Sequence, residues 1–382
     1  MPKGSQGRRS VPVRPSEHCR CVLRAGRDPP THVSRGVARR DAGLHRNHLP
    51  MACLPALAAG WSRGVLIVKR IHVAAAVIRG ADGKILIAKR ADSQHQGGLW
   101  EFPGGKVEEG EAVETALGRE LQEELGIIVT AARPLIKIQH DYPDKHVLLD
   151  VWEVSAFTGE PHGAEGQPLV WASSRELANY DFPAANRPIV AAARLPGEYL
   201  ITPEGLDNIE VLRGIQKAVA GGIKLVQLRA PGGYDPKYRD MAVDAAGLCA
   251  GKAQLMLKGP LEWLGDFPSA GWHLTAEQLR KYASRGRPFP EDRWLAASCH
   301  NAEELALAEQ MGVDFVTLSP VQPTLTHPDA QPLGWEQAAQ LITSFSKPVY
   351  LLGGVGPAER QKAWENGAQG VAGIRAFWPE EL

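Results

Sequence analysis

The strongest constraint on this chain is a short segment in which acidic residues follow a glycine pair at helical spacing. It runs Gly105-Lys-Val-Glu-Glu-Gly-Glu111, then seven residues, then Arg119-Glu-Leu-Gln-Glu-Glu-Leu-Gly-Ile127. Glu120, Glu123 and Glu124 stand at i, i+3 and i+4, so a helix places them on one face. Their mutual repulsion would be offset by a hard divalent cation, which prefers carboxylate oxygens and also binds phosphate. The segment therefore predicts a metal site for a diphosphate group, with Mg²⁺ as the first choice of metal and Mn²⁺ as the second.

The same segment has the form G-x5-E-x7-R-E-L-x-E-E-x-G-I, which resembles the Nudix box of nucleoside-diphosphate-X hydrolases at every defining position. A Glu-rich helix is more commonly just a solvated acidic face. The number of matching positions argues against that interpretation here. The resemblance implies an α/β fold for this region, an α/β/α sandwich with a mixed sheet.

Length and composition are those of a chain with two folded domains. The chain has 382 residues, of which 44% are apolar and 23% charged, enough for two cores. Its formal net charge of zero gives no sign of nucleic-acid or membrane binding, so we expect a small substrate; the Nudix resemblance implies that this small molecule is a nucleotide. No apolar run approaches the roughly 18 residues that span a bilayer. The five cysteines show no CxxC pairing, which favours a cytoplasmic location.

Residues 1–67 differ from the rest of the chain. The first 64 residues hold twelve Lys/Arg against three acidic residues, and they show neither helical nor strand periodicity. A metal knuckle at His18, Cys19 and Cys21 lacks a second ligand pair at zinc spacing, and an Arg-rich transit peptide is a further alternative. We expect instead a disordered, dispensable leader, translated from a misassigned start.

Residues 68–195 are predicted to form the first domain. Short β-rich runs at 72–79 and 84–89 flank Gly80-Ala-Asp-Gly83, which is typical of a hairpin turn. A helix is predicted from near Ala112 to Leu125, with Gly126 as its left-handed end. Further strands are predicted at Ile127–Val129, Leu135–His140, His146–Ser155 and Pro168–Trp171.

Around the box, the chain resembles the MutT-type 8-oxo-dGTP diphosphatases from Val68 to about Arg194. The agreement is carried by Lys89-Arg90-Ala91, His95, Leu99-Trp-Glu-Phe-Pro-Gly-Gly-Lys106, Gly159-Glu-Pro161, Gly163-Ala-Glu165-Gly-Gln-Pro168 and Asp181-Phe-Pro-Ala-Ala-Asn186-Arg-Pro188. The resemblance implies nucleotide contacts at Arg90, His95, Glu101, Phe102, Pro103, Gly104 and Asn186. It implies metal ligation by a carbonyl of Gly104 or Gly105 and by Glu120, Glu123, Glu124 and Glu165. It also implies attack at the β-phosphorus, which leaves a monophosphate and pyrophosphate.

The chemistry of single residues agrees with this expectation. The Asn186 amide both donates and accepts, so it can meet the O6 acceptor and the N7–H donor of an 8-oxopurine, whereas ordinary guanine has an acceptor at N7. A turn residue before Pro188 is the alternative for Asn186. Phe102 is either a wall against the base or a core residue. His95 is a substrate contact only through the resemblance, since most loop histidines are not.

Catalytic roles are expected for the acidic residues and their neighbours. The metal would neutralise the triphosphate and activate a water, with Glu120 or Glu165 as the general base. Arg119 is expected to orient Glu120 through an ion pair. Lys106 and Arg90 are the better candidates for phosphate contacts.

Residues 197–382 are predicted to form a compact (β/α)₈ TIM barrel, because eight short apolar strands alternate with helical segments. The predicted strands are Tyr199–Thr202, Lys224–Arg229, Gln254–Lys258, Gly271–Leu274, Trp294–Cys299, Phe315–Val321, Val349–Val355 and Val371–Phe377. The region resembles thiamine-phosphate synthase and its thiazole tautomerase relatives through the following segments: Gln227-Leu-Arg229, Gly271-Trp-His-Leu274, Ser298-Cys-His300, Ser319-Pro-Val-Gln-Pro-Thr324-Leu-Thr326, Gly353-Gly354 and Gly370-Val-Ala-Gly-Ile374.

The barrel departs from that family where a synthase binds Mg-pyrophosphate. Where the family has a metal-binding Asn-Asp pair, this chain has Lys258-Gly259. A second acidic position of the family is Gln278 here, and Pro231 stands where the family has a lysine. A phosphate cradle persists, formed by Thr324, Thr326, Gly353, Gly354 and Gly373 at late strand ends. We therefore expect either a phosphate-binding barrel without synthase activity or a degenerate barrel that serves only stability.

The leading functional hypothesis is a Mg²⁺-dependent hydrolase of 8-oxo-dGTP, which would protect DNA replication from oxidised nucleotides. One alternative is a Nudix hydrolase of a thiamine-related phosphate. Another is a regulatory binding protein that senses thiazole phosphate. The intact set of Glu120, Glu123 and Glu124 argues against a protein that only binds.

Overall fold

The computed structural model of the chain describes residues 69–93, 96–142, 145–229, 235–324 and 329–379. The predicted leader lies outside these residues, as do His95, Pro231 and Thr326. In the described part of the chain, no helix is both long enough and apolar enough to cross a bilayer.

A seven-stranded mixed sheet forms the first domain. Its strands are β1 (Lys69–Arg79), β2 (Ile85–Lys89), β3 (Trp100–Glu101), β4 (Gly104–Lys106), β5 (Ile128–Tyr142), β6 (Lys145–Thr158) and β7 (Leu169–Ala172). The order is β3-β2-β1-β6-β5, while β4 pairs with β1 and β7 with β2. Strand β1 runs parallel to β6 and antiparallel to β2. The predicted hairpin between β1 and β2 is confirmed, with the Gly83 amide donating to the Gly80 carbonyl over 2.9 Å.

One helix covers each face of this sheet: α1 (Val113–Leu125) and α2 (Arg187–Arg194). Side chains of β1 alternate between the faces. Ala74, Ala76 and Ile78 pack with the α1 core residues, whereas Ala75 and Val77 belong to the core under α2. The predicted α/β/α sandwich is confirmed.

The two strands predicted at 127–129 and 135–140 were wrong as separate elements, because they form the single strand β5. Its pairing with β6 shifts register between Val129 and Ala131 and between Pro134 and Ile136. Such bulges accommodate a proline, which lacks an amide donor, without ending the strand.

The second domain is a closed barrel of eight parallel strands, as predicted. They are β8 (Glu198–Ile201), β9 (Leu225–Leu228), β10 (Gln254–Leu257), β11 (Gly271–Leu274), β12 (Leu295–Cys299), β13 (Phe315–Leu318), β14 (Val349–Leu351) and β15 (Gly370–Gly373). The helices are α3 (Asn208–Ala220), α4 (Pro236–Cys249), α5 (Ala276–Tyr282), α6 (Ala302–Met311), α7 (Gly334–Thr343) and α8 (Arg360–Glu365).

The late strands end earlier than predicted. Strands β13, β14 and β15 stop three or four residues short of the predicted ends. Gly353 and Gly354 have φ of 95° and 66°, which a strand residue does not adopt. The residues beyond each strand therefore form loops at the carboxyl end of the barrel.

A short connection joins the two domains, running from the end of α2 to the start of β8. The buried Gln369 side chain donates from Nε2 to the carbonyls of Ala192 (3.1 Å) and Leu195 (3.0 Å). The Tyr350 hydroxyl donates to the Pro196 carbonyl at 2.5 Å. Barrel side chains thus satisfy backbone acceptors of the connection. The domain boundaries proposed at residues 68, 195 and 197 stay predictions.

Candidate functional site

Helix α1 presents the acidic residues to one edge of the first sheet. Leu117, Leu121 and Leu125 are fully buried on its inner face. The helix ends at Gly126, which has a φ of 68°. Its amide donates a hydrogen bond of 3.0 Å to the Gln122 carbonyl, and the two features form a left-handed cap. The predicted bounds of this helix and its glycine end are confirmed.

Arg119 is the centre of an ion-pair network. It donates to both carboxylate oxygens of Glu111, at 3.1 and 3.0 Å, and to Glu120 at 2.9 Å. Further bonds reach Glu123 at 3.4 Å and the Lys106 carbonyl at 3.0 Å. The expected pair with Glu120 is present. The pairing with Glu111 was missed, although the glutamate of the G-x5-E half of the box was the available signal.

The glycine pair of β4 brings the backbone against the helix carboxylates. The Gly104 amide donates to the Glu124 carboxylate at 3.1 Å, and Gly104 has a φ of 143°. A β-carbon at Gly105 would collide with the carboxylate of Glu120. Only glycine therefore allows this approach. The sequence led us to expect that a carbonyl oxygen of this pair ligates the metal, whereas the contact to Glu124 is made by the Gly104 amide.

The loop that carries Glu165 is fixed to the end of α1. The Ala164 amide and the Gln167 side chain both donate to the Glu124 carbonyl, at 3.0 and 3.1 Å. The Gln167 side-chain oxygen accepts from the Glu165 amide at 2.9 Å. This fixation brings Glu165 close to Glu124. Gln167 was not singled out from the sequence, because only its fold contacts give it this role.

The electrostatics of this edge favour a bound cation. The pKa of Glu124 is raised to about 7, chiefly by burial. The hydrogen bond from the Gly104 amide opposes this rise, and the charges of Glu101, Glu120 and Glu165 add to it. Burial also raises the pKa of Glu101. Within the described ranges, no three Asp, Glu, His or Cys side chains converge as a finished coordination shell. The excess negative charge and the all-oxygen donors nonetheless fit a hard divalent cation.

The predicted nucleotide contacts lie along the neighbouring strands. Arg90 pairs with Glu101 at 2.5 Å. Phe102 is only 4% exposed and stacks on Phe182 with a centroid distance of 5.4 Å, which places its ring in the core. Pro103 is buried, while the side chain of Lys106 is exposed. The core interpretation of Phe102 is the one that the structure supports.

Asn186 ends a short 3₁₀ turn (Ala184–Asn186) immediately before α2. Its backbone amide donates to the Pro183 carbonyl at 2.9 Å. Its half-buried side chain makes no capping bond to the helix. The side-chain amide of Asn186 is therefore not used by the turn, which was the alternative explanation for this residue.

A second candidate site is a cavity of about 840 Å³ at the carboxyl ends of the barrel strands. Its lining includes the predicted phosphate residues Thr324, Gly353, Gly354 and Gly373. A β-carbon at Gly353 would meet Pro320, and one at Gly354 would meet Gln322 and Pro323, so these loops need glycine.

The side chain of Gln278 has a structural role. Its side chain accepts from the Thr275 amide at 3.1 Å in a capping box of α5, and it donates to the Gly259 carbonyl at 2.8 Å. The amide thus joins two loops at the cavity rim, where the resemblance led us to look for a carboxylate. Lys258 lines the cavity itself.

Two family models match the chain. The NUDIX domain model matches residues 74–192, and the thiamine monophosphate synthase model matches residues 198–377. The two matched regions contain the two sites described above.

Relatives of each region are similar over nearly their whole length. The 8-oxo-dGTP diphosphatase of Escherichia coli (strain K12) is 43% identical over 124 residues, which are 32% of this chain and 96% of that protein. The CTP pyrophosphohydrolase of the same organism is 42% identical over 125 residues, 33% of this chain and 92% of that protein. The putative thiamine-phosphate synthase 2 of Aquifex aeolicus (strain VF5) is 30% identical over 185 residues, 48% of this chain and 98% of that protein.

Proposed function

Because the chain belongs to the Nudix family through its first domain and to the thiamine monophosphate synthase family through its second, we propose that it hydrolyses 8-oxo-dGTP to the monophosphate and pyrophosphate. The observation that carries this proposal is the half-buried Glu124, which accepts from the Gly104 amide and has the charges of Glu120 and Glu165 beside it, with Arg119 fixing Glu120. A substrate rich in phosphate oxygens and bound with a cation matches that charge.

The cation is proposed to be Mg²⁺, held by Glu120, Glu123, Glu124 and Glu165, with Mn²⁺ as the alternative. When bound, it would neutralise triphosphate charge and lower the pKa of the attacking water. Arg119 keeps Glu120 oriented, since one guanidinium nitrogen bonds it while the others bond Glu111. Glu120 or Glu165 then accepts the proton of the water as general base.

The oxidised base is proposed to be selected by Asn186. Its side chain is not used by the helix cap and offers adjacent donor and acceptor groups. Discrimination by such a group is large where the unpaired alternative leaves a buried polar atom without a partner. Removal of oxidised nucleotides before DNA synthesis, in the cytoplasm, would be the biological role.

CTP is the second candidate substrate, because the identity to a CTP pyrophosphohydrolase is only one percentage point lower than that to the 8-oxo-dGTP diphosphatase. Thiamine-related phosphates remain a third candidate through the barrel.

A substrate panel tests the proposal. Hydrolysis by the purified chain with Mg²⁺ is measured as pyrophosphate release from 8-oxo-dGTP, dGTP and CTP and as orthophosphate release from thiamine diphosphate. We expect the highest kcat/KM for 8-oxo-dGTP. A higher value for CTP or thiamine diphosphate would contradict the assignment, and turnover that survives removal of divalent cations would contradict the metal.

In the barrel, we propose that Thr324, Gly353, Gly354 and Gly373 hold a phosphate group of a small ligand. Their place at the ends of late strands and the close backbone approach at both glycines support this. Calorimetry with inorganic phosphate tests it, and the absence of heat at millimolar concentration would leave the barrel as a scaffold.

A further inference from the structure

A chain of buried polar groups crosses the interior of the barrel and ends at the cavity. Tyr199 and His273 are both fully buried, and the tyrosine oxygen lies 3.0 Å from Nδ1 of the histidine. The Gln227 side chain donates to the same tyrosine oxygen at 3.0 Å. On the other side, Nε2 of His273 lies 3.1 Å from the Ser298 hydroxyl. The Nζ atom of Lys258 lies 3.4 Å from that hydroxyl.

The protonation states of these buried groups determine which atom donates in each of their hydrogen bonds. Burial raises the pKa of Tyr199 and lowers that of His273, so the phenol keeps its proton and the imidazole is neutral. Among the described contacts, Nδ1 of His273 is the acceptor that the phenol proton can reach, since Gln227 is a donor to the same oxygen. The imidazole proton then sits on Nε2, within reach of Ser298 at 3.1 Å and of Thr317 at 3.5 Å. That proton is donated to Ser298. The Ser298 oxygen also accepts from Nζ of Lys258, so this serine connects the buried histidine to the lysine amine.

Lys258 has surroundings that suit an unprotonated amine. It follows directly on β10 and lines the cavity together with Arg229 and Ser298. Among the described residues, no carboxylate forms an ion pair with its Nζ, and Arg229 is the nearby charge. Burial, followed by repulsion from Arg229, lowers the pKa of Lys258 to about 8. A desolvated lysine without a counterion is the form in which lysine acts as a nucleophile.

We propose that Lys258 captures the carbonyl group of a small phosphorylated aldehyde or ketone in the barrel cavity as an imine. The glycine loops at Gly353 and Gly354 line the same cavity and would take the phosphate of such a compound, while the amine faces its carbonyl carbon. This activity is separate from nucleotide hydrolysis and uses none of the residues of the first domain.

The step balances without a further reactant. The Nζ lone pair forms a C–N bond to the carbonyl carbon, and the C=O π electrons move to oxygen. Ser298 passes a proton from nitrogen to that oxygen, which gives a neutral carbinolamine. Loss of the hydroxyl with the remaining nitrogen proton releases water and leaves the C=N double bond.

Reductive trapping tests the proposal on the full chain. The protein is incubated with glycolaldehyde phosphate, reduced with borohydride and mapped by peptide mass spectrometry. We expect the adduct on Lys258 to form at least about tenfold faster than on the exposed Lys252, because burial lowers the pKa of Lys258 to about 8 and so raises its share of free amine at neutral pH. Equal rates at the two lysines would overturn the proposal.

Two variants separate an imine from a simple charge contact. Lys258→Arg keeps a positive charge and should abolish the adduct while phosphate binding by calorimetry persists. Lys252→Arg is the matched control and should leave trapping at Lys258 unchanged. Both variants should keep the circular dichroism spectrum and melting temperature of the parent chain, which shows that the barrel is folded, and both should hydrolyse nucleotides normally. No adduct in the parent chain, together with phosphate binding that Lys258→Arg retains, would show a charge contact only and refute the imine.

The pH dependence gives an independent readout. Trapping at Lys258 should rise with pH to half its maximum near pH 8, since the neighbouring groups are the cationic Arg229, the neutral His273 and the uncharged Ser298. Ser298→Ala should slow trapping several-fold without moving that midpoint by more than about one unit. A midpoint near that of ordinary lysine, above pH 10, would contradict the proposal.

Discussion

Glu124 is held in surroundings that oppose its charge. It is largely buried, three carboxylates lie close to it, and the Gly104 amide supplies one compensating bond. A carboxylate whose pKa is raised by folding destabilises the folded state as pH rises through the interval between the unfolded value and about 7. The metal-free protein therefore keeps a charge that its fold alone does not favour.

We predict that Glu124→Gln abolishes hydrolysis, by at least about 10²-fold in kcat, while the metal-free protein melts at the same or a higher temperature. The amide keeps an acceptor for Gly104 but removes a charge that would bind the cation. Steady-state kinetics and thermal unfolding measure the two effects. Glu114→Gln, on an exposed position of the same helix, is the control and should be neutral. Near-normal turnover by a folded Glu124→Gln would remove the residue from the site.

We predict that Asn186→Ala lowers kcat/KM for 8-oxo-dGTP by about 10²-fold or more, and that for dGTP by much less. The amide would recognise the oxidised edge and take no part in the chemistry. Asn179→Ala, at the exposed end of a nearby 3₁₀ turn, serves as the matched control. Equal losses for both nucleotides would assign Asn186 to the turn.

At the scale of elements, β4 is placed where two glycines let a strand lie against the carboxylates of a helix. We predict that Gly105→Ala lowers hydrolysis at least about tenfold in a folded protein, because the new methyl group displaces the Glu120 carboxylate. Circular dichroism and kcat are measured together. A full loss of structure would instead show that β4 is needed for folding, and normal turnover would show that Glu120 can move without consequence.

Gly118→Ala is the matched control on the facing element. Gly118 lies inside α1, and the space that an alanine methyl group would occupy there is open. We expect the substitution to raise the free energy of unfolding by about 0.5–1 kcal/mol, because alanine loses less backbone entropy in a helix. Hydrolysis should be unchanged.

Elements were predicted from sequence where a local pattern determines them. Helix α1 has an apolar period and a glycine end, and the first hairpin has its turn residues, so both were placed within a residue or two. Strand β5 was predicted as two strands, because a bulge within one strand is visible only when the partner strand is known. The late barrel strands were predicted to be longer than they are, because apolar residues continue into the loops that line the cavity.

The partners of site residues were harder to predict than the residues themselves. Helical spacing identifies the face that carries Glu120 and Glu124, but not the side chains that meet it from elsewhere. Glu111 and Gln167 reach the site from separate segments, and only the folded chain brings them to Arg119 and Glu124. Gln278 looked like a lost ligand, whereas its amide caps a helix and joins a loop.

At the scale of the whole molecule, the second domain keeps the barrel but has changed its cavity. We predict that the full chain forms no thiamine phosphate from thiazole phosphate and pyrimidine diphosphate with Mg²⁺. Lys258 brings a positive charge, and Gln278 a capping amide, to positions where the resemblance places metal ligands. Product detection by fluorescence measures this. Rescue of a thiamine-requiring strain that lacks its own synthase would contradict it.

The hydrogen bonds from Gln369 to the carbonyls of Ala192 and Leu195 link the effect of barrel mutations to the stability of the first domain. A barrel residue satisfies the last carbonyls of the hydrolase helix, so a barrel substitution that exposes those carbonyls also weakens the other domain. If the first domain guards the nucleotide pool, lesions in the gene far from the Nudix box would raise the spontaneous mutation rate of the cell. Selection for genome fidelity would then maintain the barrel sequence, whatever the barrel itself binds.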